Sequence, residues 1–196
     1  MFEAIIPLRS KSRGLKNKNI LIFKNKVSLV NFAVKKLLNI KEIKKIYILT
    51  DSEFYKKKII KHRKIDTNYV RKAKLSSSDS KIDDLINDFL NFYNFTKLND
   101  KFLIFQVTSP ILNKKDILKT LNFIKSNKID SLMHVTKVIE SPYEIIKKSK
   151  NRWRFLLGKR IVNRHNYKGK FMFITGSMFY FTRNFFNKNK KIINKK

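Results

Sequence analysis

The chain has 196 residues, 42% of them hydrophobic, and 46 Lys and Arg stand against 14 Asp and Glu for a formal net charge of +32. That length is enough to bury a sizeable core in one domain, and the lack of any cysteine excludes disulfides, thiolate metal sites and a cysteine nucleophile. No apolar run approaches the roughly 20 residues that cross a bilayer, and Pro7 and Arg9 break the first one before it reads as a signal peptide. A soluble cytoplasmic protein is therefore expected. The cations are scattered through every segment rather than gathered on a stripe, and the chain is equally crowded with Ile, Asn and Phe, which A/T-rich codons also specify. Composition explains the charge better than a polyanion partner does, so neither nucleic acid nor a membrane is the expected partner.

In chain order, Ala4, Ile5 and Ile6 form a short apolar strand that stops at Pro7. Ser28 to Asn39 carries apolar positions at helical spacing, with Ser28 as the N-cap. Ile43 to Leu49 reads as a buried strand, after which Asp51 or Ser52 caps the next helix. Thr67 to Val70 is a further short strand, and Ser80–Asp83 reads as a capping box opening a helix through Phe89 and Phe92. A strand at Phe102 to Val107, a helix from about Lys114 to Lys125 and a strand at Asp130 to Val135 follow. Phe171 to Phe181 reads as an aromatic core strand and Asn187 to Lys196 as a solvated basic tail. Strands separated by crossover helices imply an α/β fold of three layers around a mainly parallel sheet, one domain over residues 1–186 followed by the tail 187–196. Ligands of such sheets bind beyond the carboxyl ends of the strands.

The loop leaving the first strand holds Arg9, Lys11, Arg13, Lys16 and Lys18, with Ser10, Ser12 and Gly14 among them. Small residues leave backbone N–H groups approachable, and cations beside them suit a polyphosphate. On charge alone a solvated basic turn is the better reading. Other site chemistries fare worse: His62, His134 and His165 lack metal-cluster spacing, and no nucleophile-elbow pattern is present.

The order of residues in that loop resembles the N-terminal signature of the acylneuraminate (CMP-sialic acid) cytidylyltransferases, at Pro7, Arg9, Ser12, Gly14, Leu15, Lys18 and Asn19. Arg13 stands where that family has lysine, Lys11 where it has a small residue and Lys16 where it has proline. Thr50–Asp51–Ser52 resembles the family's Ser-Thr-Asp-Ser, Arg71 its arginine after the third strand, and Phe105 to Ile111 its Leu-Gln-Pro-Thr-Ser-Pro-Leu. Towards the C-terminus, Glu140 to Tyr143, Asn163 to Asn166 and Thr175 to Phe179 match more thinly, with Glu144 at a position where some members carry lysine.

The resemblance implies a Rossmann-like nucleotidyltransferase fold and transfer of CMP from CTP to a nonulosonic acid of the sialic, pseudaminic or legionaminic type. Arg9 and Lys18 would act as catalytic cations, Ser12, Arg13, Asn19 and Arg71 would hold CTP, and Gln106 and Arg164 the sugar acid, whose carboxylate suits a planar guanidinium fork. It also leaves room for a homodimer. Magnesium is implied too, yet the family's Asp-x-Asp that holds it has no match: every acidic residue lies at or before Glu144. The chain is thus expected to be truncated relative to the family, and the alternative is a nucleotide-binding protein without turnover.

Overall fold

The computed structural model describes the chain except residues 11–13, 78, 98, 99, 159, 162, 195 and 196, and at Arg164 it describes the backbone alone. Ten strands and five α-helices appear among the described residues. The strands that position the site are β1 (Phe2–Leu8), β4 (Ile43–Thr50), β5 (Ile65–Asp66), β6 (Lys101–Phe105), β7 (Ser131–Lys137) and β10 (Met172–Thr182), in the sheet order β5-β4-β1-β6-β10-β7. β1 runs parallel to both β4 and β6, and β4 to β5, whereas β10 is antiparallel to β6. The sheet is mainly parallel, as expected, with an antiparallel strand inserted on one side.

Its two faces follow from the two-residue period of a strand, which sends successive side chains to opposite sides. Ala4, Ile6, Ile46, Ile48, Leu103 and Phe105 enter one core, while Ile5, Tyr47, Leu49, Phe102 and Ile104 enter the other. A strand buried on both faces has no polar alternation, and these read accordingly as continuous apolar runs. Helices α1 (Leu29–Leu38) and α4 (Lys114–Asn127) cover the first face through Val30, Val34, Leu37, Ile117, Leu121 and Ile124. Helix α3 (Ile82–Phe92) covers the second through Leu85, Ile86, Phe89 and Leu90, joined by Phe186 of α5 (Arg183–Asn189). These are the three layers that strand–helix alternation predicted.

Four details differ from the sequence reading. The edge strand is Ile65–Asp66, and of the expected Thr67 to Val70 only Val70 makes a single bridge, to Thr50. The N-cap of α3 is Lys81, which makes no side-chain cap bond, because Ser80 Oγ turns instead to the carbonyls of Leu75 and Ser77, each at 2.8 Å. In β10 the core character is confined to the later residues: Phe173 is exposed, whereas Met178, Tyr180 and Phe181 are buried. The run from Asn187 is not wholly a solvated tail, since α5 reaches Asn189 and Ile192 is buried, its N–H donating to Asp83 Oδ1 at 2.9 Å.

The chain forms two compact units, Met1–Met133 with Gly176–Lys196, and His134–Thr175. Within the second unit, β8 (Ile146–Ser149) and β9 (Arg152–Phe155) make an antiparallel hairpin. Tyr143 there stacks on Tyr167 with ring centroids 4.8 Å apart, and its hydroxyl donates to the Lys168 carbonyl. Among the described residues no helix is long and apolar enough to cross a membrane.

Candidate nucleotide site

Parallel pairing decides which loops meet. Leu8, the last residue of β1, pairs with Thr50, the last of β4, and Ile5 pairs with Ile104 near the end of β6. Arg9, Asp51 and Gln106 therefore leave the sheet along the same edge. Arg71 joins them because Val70 bridges to Thr50 and the Arg71 N–H donates to the Thr50 carbonyl at 3.0 Å.

The turn after β4 fits Asp51 for an outward role. Helix α2 (Glu53–Lys58) is capped by Ser52, whose Oγ accepts from the Tyr55 N–H, and Thr50 Oγ1 accepts from the Ser52 N–H. With both tasks filled, the Asp51 carboxylate turns to the first loop and accepts from Ser10 twice, from its N–H at 2.8 Å and from its hydroxyl at 3.1 Å. Of the two cap candidates, Ser52 is the cap.

Two further side chains hold the loop. Tyr55 is 1% exposed, and its hydroxyl donates to the Ser10 carbonyl at 3.1 Å with Asn17 Oδ1 at 3.3 Å. Asn17 adopts a left-handed conformation (φ 56°), which asparagine tolerates better than most residues. Asn19 is buried and its amide donates to the Arg9 carbonyl at 3.1 Å. The loop is thus tied at Arg9 and Ser10 on one side and at Asn17 and Asn19 on the other, and Lys18 sits between the latter two anchors. A Cβ added at Gly14 would meet nothing within 4 Å, so the backbone there stands open.

The charges around this brace are coupled. Arg71 is nearly buried, and its Nε and Nη2 both donate to the Leu75 carbonyl. Burial lowers its pKa, the Asp51 carboxylate opposes that shift and the Arg9 guanidinium reinforces it; arginine still carries its charge at neutral pH. Burial, and then Asp51, raises the Tyr55 phenol above its ordinary value, which keeps it a neutral donor.

Of the residues expected at the site, Arg9 is half-buried with Nη1 donating to the Ser77 carbonyl at 3.4 Å, and Lys18 is half-buried in a short 3-10 turn. Asn19 and Arg71 join them in the first unit, with the amide and guanidinium donors just described facing protein carbonyls. Gln106 is exposed at the end of β6. Ser12 and Arg13 lie outside the described residues. Arg164 belongs to the second unit, in a 3-10 turn over Arg164–Asn166.

Two residues escaped the sequence reading. Tyr55 gave no signal beyond being an aromatic near a helix start. Lys36 gave one: it is a lysine at an apolar position of α1. Its ammonium donates to the carbonyls of Pro110 and Leu112, each at 2.7 Å, and so fixes the loop that follows Gln106. Burial lowers its pKa.

The described residues do not compose a magnesium site. No three His, Cys, Asp or Glu gather among them. Magnesium ordinarily takes one or two carboxylates besides substrate phosphates.

A mainly parallel three-layer sheet with a braced, cation-bearing loop beyond its strand ends defines a nucleotidyltransferase fold. The chain belongs to the cytidylyltransferase family, which matches it over residues 3–188. It is 32% identical over 141 residues to N-acylneuraminate cytidylyltransferases of Streptococcus agalactiae, from a serotype V and a serotype III strain, in line with the resemblance of its motifs. That stretch is 70% of this chain and 32% of those relatives, so the chain spans about a third of their length. Among solved structures, a CMP:2-keto-3-deoxy-manno-octonic acid synthetase complexed with CTP is similar in fold, with a TM-score of 0.64 and 11% identity, covering 99% of this chain and 79% of that one. The 2-C-methyl-D-erythritol 4-phosphate cytidylyltransferase of Francisella tularensis gives a TM-score of 0.65 at 12% identity, covering 94% and 74%.

Proposed function

We propose that this chain transfers CMP from CTP to the hydroxyl of a nonulosonic acid of the sialic type. The acceptor oxygen attacks the α-phosphorus, the bond to the bridging oxygen of the β-phosphate breaks, and pyrophosphate leaves with that electron pair. The acceptor's proton passes to solvent. The nucleophile comes from the substrate, so the protein's share is positioning and charge compensation. Arg9 and Lys18 offset the growing charge on the leaving pyrophosphate, and Ser12, Arg13, Asn19 and Arg71 hold the nucleotide. Gln106 offers donors and acceptors to the sugar acid, and Arg164 a fork for its carboxylate.

The observation that carries this reading is the brace of Asp51, Tyr55 and Asn19, which holds a cation-bearing loop beyond the carboxyl ends of three parallel strands. Pyrophosphate release should be measured with CTP, magnesium and a panel of sialic-type acids. Release with at least one acid supports the proposal; none from folded protein across the panel defeats it. A second reading, nucleotide binding without turnover, is favoured by the lack of any cluster of three His, Cys, Asp or Glu among the described residues. It predicts CTP binding in the same preparation with no pyrophosphate.

A further inference from the structure

We propose that Tyr55 is a positioning residue for the two flanks Arg9–Ser10 and Asn17–Asn19, its phenol hydroxyl setting how tightly the cations Arg9 and Lys18 take the phosphate chain of a nucleoside triphosphate. The last clause rests on the function proposed above; the clamp itself rests on geometry alone. One hydroxyl lies within 3.1 Å of the Ser10 carbonyl and 3.3 Å of Asn17 Oδ1, and so touches both flanks of the loop at once. Its ring is 1% exposed, so the contact point is fixed by the first face of the sheet, where Tyr55 packs with the core cluster. The Ser10 flank is held a second time by Asp51, and Asn19 ties the far flank to Arg9. Tyr55 differs from both because it joins the flanks through a rigid ring rather than a short flexible side chain.

Two flanks held at a fixed spacing before ligand arrives lose less conformational freedom on binding, which strengthens affinity without adding a contact. Tyr55 is therefore expected to act on nucleotide affinity out of proportion to its effect on stability. Tyr93 supplies the comparison. It is a half-buried tyrosine of the same unit whose hydroxyl donates to Asp66 Oδ1, beside the edge strand β5 rather than beside the loop.

The test compares wild type, Tyr55→Phe and Tyr93→Phe in the full chain, by thermal melting, by calorimetric titration with CTP, and by hydrogen exchange of the loop amides without nucleotide. Both variants lose one phenol hydrogen bond and are expected to melt lower. Only Tyr55→Phe should raise the Kd for CTP, about three- to tenfold, as suits the loss of one hydrogen bond, and only it should speed exchange at the Lys18, Ile20 and Leu21 amides, which bond within the loop. An unchanged Kd and unchanged exchange in Tyr55→Phe overturn the proposal, as does an equal rise in Kd for the two variants. If wild type binds no CTP, the functional reading falls and the positioning role for phosphate falls with it. Faster exchange in Tyr55→Phe would then leave a clamp of the free loop and nothing more.

Discussion

Lys16 and Lys18 lie two residues apart and carry the same charge, yet the fold treats them differently. Lys18 is half-buried between the anchored Asn17 and Asn19, whereas Lys16 is exposed and adjoins an anchor, Asn17, on one side alone. A generic field would treat the two alike; a cradle would not. Lys18→Ala is expected to weaken CTP binding by about ten- to hundredfold, corresponding to the loss of a charge-assisted contact of about 1.5–3 kcal/mol, with Lys16→Ala close to wild type. Calorimetric titration at moderate salt checks this, since a formal net charge of +32 would otherwise gather nucleotide indiscriminately. Equal, small effects would reduce the loop to a basic turn. The motif order singled out Arg9, Lys18 and Asn19, which lie together in the first unit. What it hid was the use of their neighbours, because a hydrogen bond between Asp51 and Ser10 spans 41 positions and leaves no local pattern.

Helix starts show where local reading works and where it fails. Ser28, Ser52, Asn113 and Thr182 each accept from a backbone N–H of the first turn, satisfying a donor the helix leaves unpaired. Ser28 was readable because it directly precedes an apolar period. The start of α3 was not, because the run around Ser76, Ser77 and Ser80 offers several hydroxyls and the structure spends that of Ser80 on the Leu75 carbonyl, which also takes the Arg71 guanidinium. Asn113→Ala should therefore cost about 1 kcal/mol, and Lys81→Ala, at a cap without a side-chain bond, less than about 0.5 kcal/mol. Urea denaturation of the two variants decides, and a larger loss at Lys81 would contradict the cap assignment. The strands were the most legible elements, since runs buried on both faces stand out. The two-residue β5 was too short to show any period. The second unit also had a sequence sign that the element-by-element reading passed over: it holds Pro142, Gly158 and Gly169, three of the chain's seven Pro and Gly residues, and both of its glycines have positive φ.

At the scale of the whole molecule, few carboxylates answer many cations, and those that are buried set the response to pH. Asp66 and Asp88 behave alike. Burial alone would raise each, but at Asp66 the Lys45 ammonium at 2.7 Å, the Tyr93 hydroxyl and the Asn68 amide outweigh it, and at Asp88 Lys72 and Tyr69 do the same. Both end below the ordinary aspartate value, so their contribution is complete above that value and is lost as pH falls through the lowered one. Glu3 runs the other way. Burial in β1 raises it, Lys44 at 3.4 Å opposes only in part, and its buried Oε2 has no hydrogen-bond partner among the described residues. A carboxyl whose folded value lies above its unfolded one adds stability below the unfolded value and loses it as pH rises through the folded one. At neutral pH Glu3 is thus held charged where its surroundings disfavour charge. Glu3→Gln, which keeps the shape and removes the ionisation, is expected to melt higher than wild type at pH 7, and the gap should shrink steadily as pH falls through the raised carboxyl value and the wild-type side chain takes up its proton. Thermal melts across that range check the sign. A variant that melts lower at pH 7 would mean that the Lys44 ion pair outweighs burial, and that the charge on Glu3 stabilises the sheet it sits in.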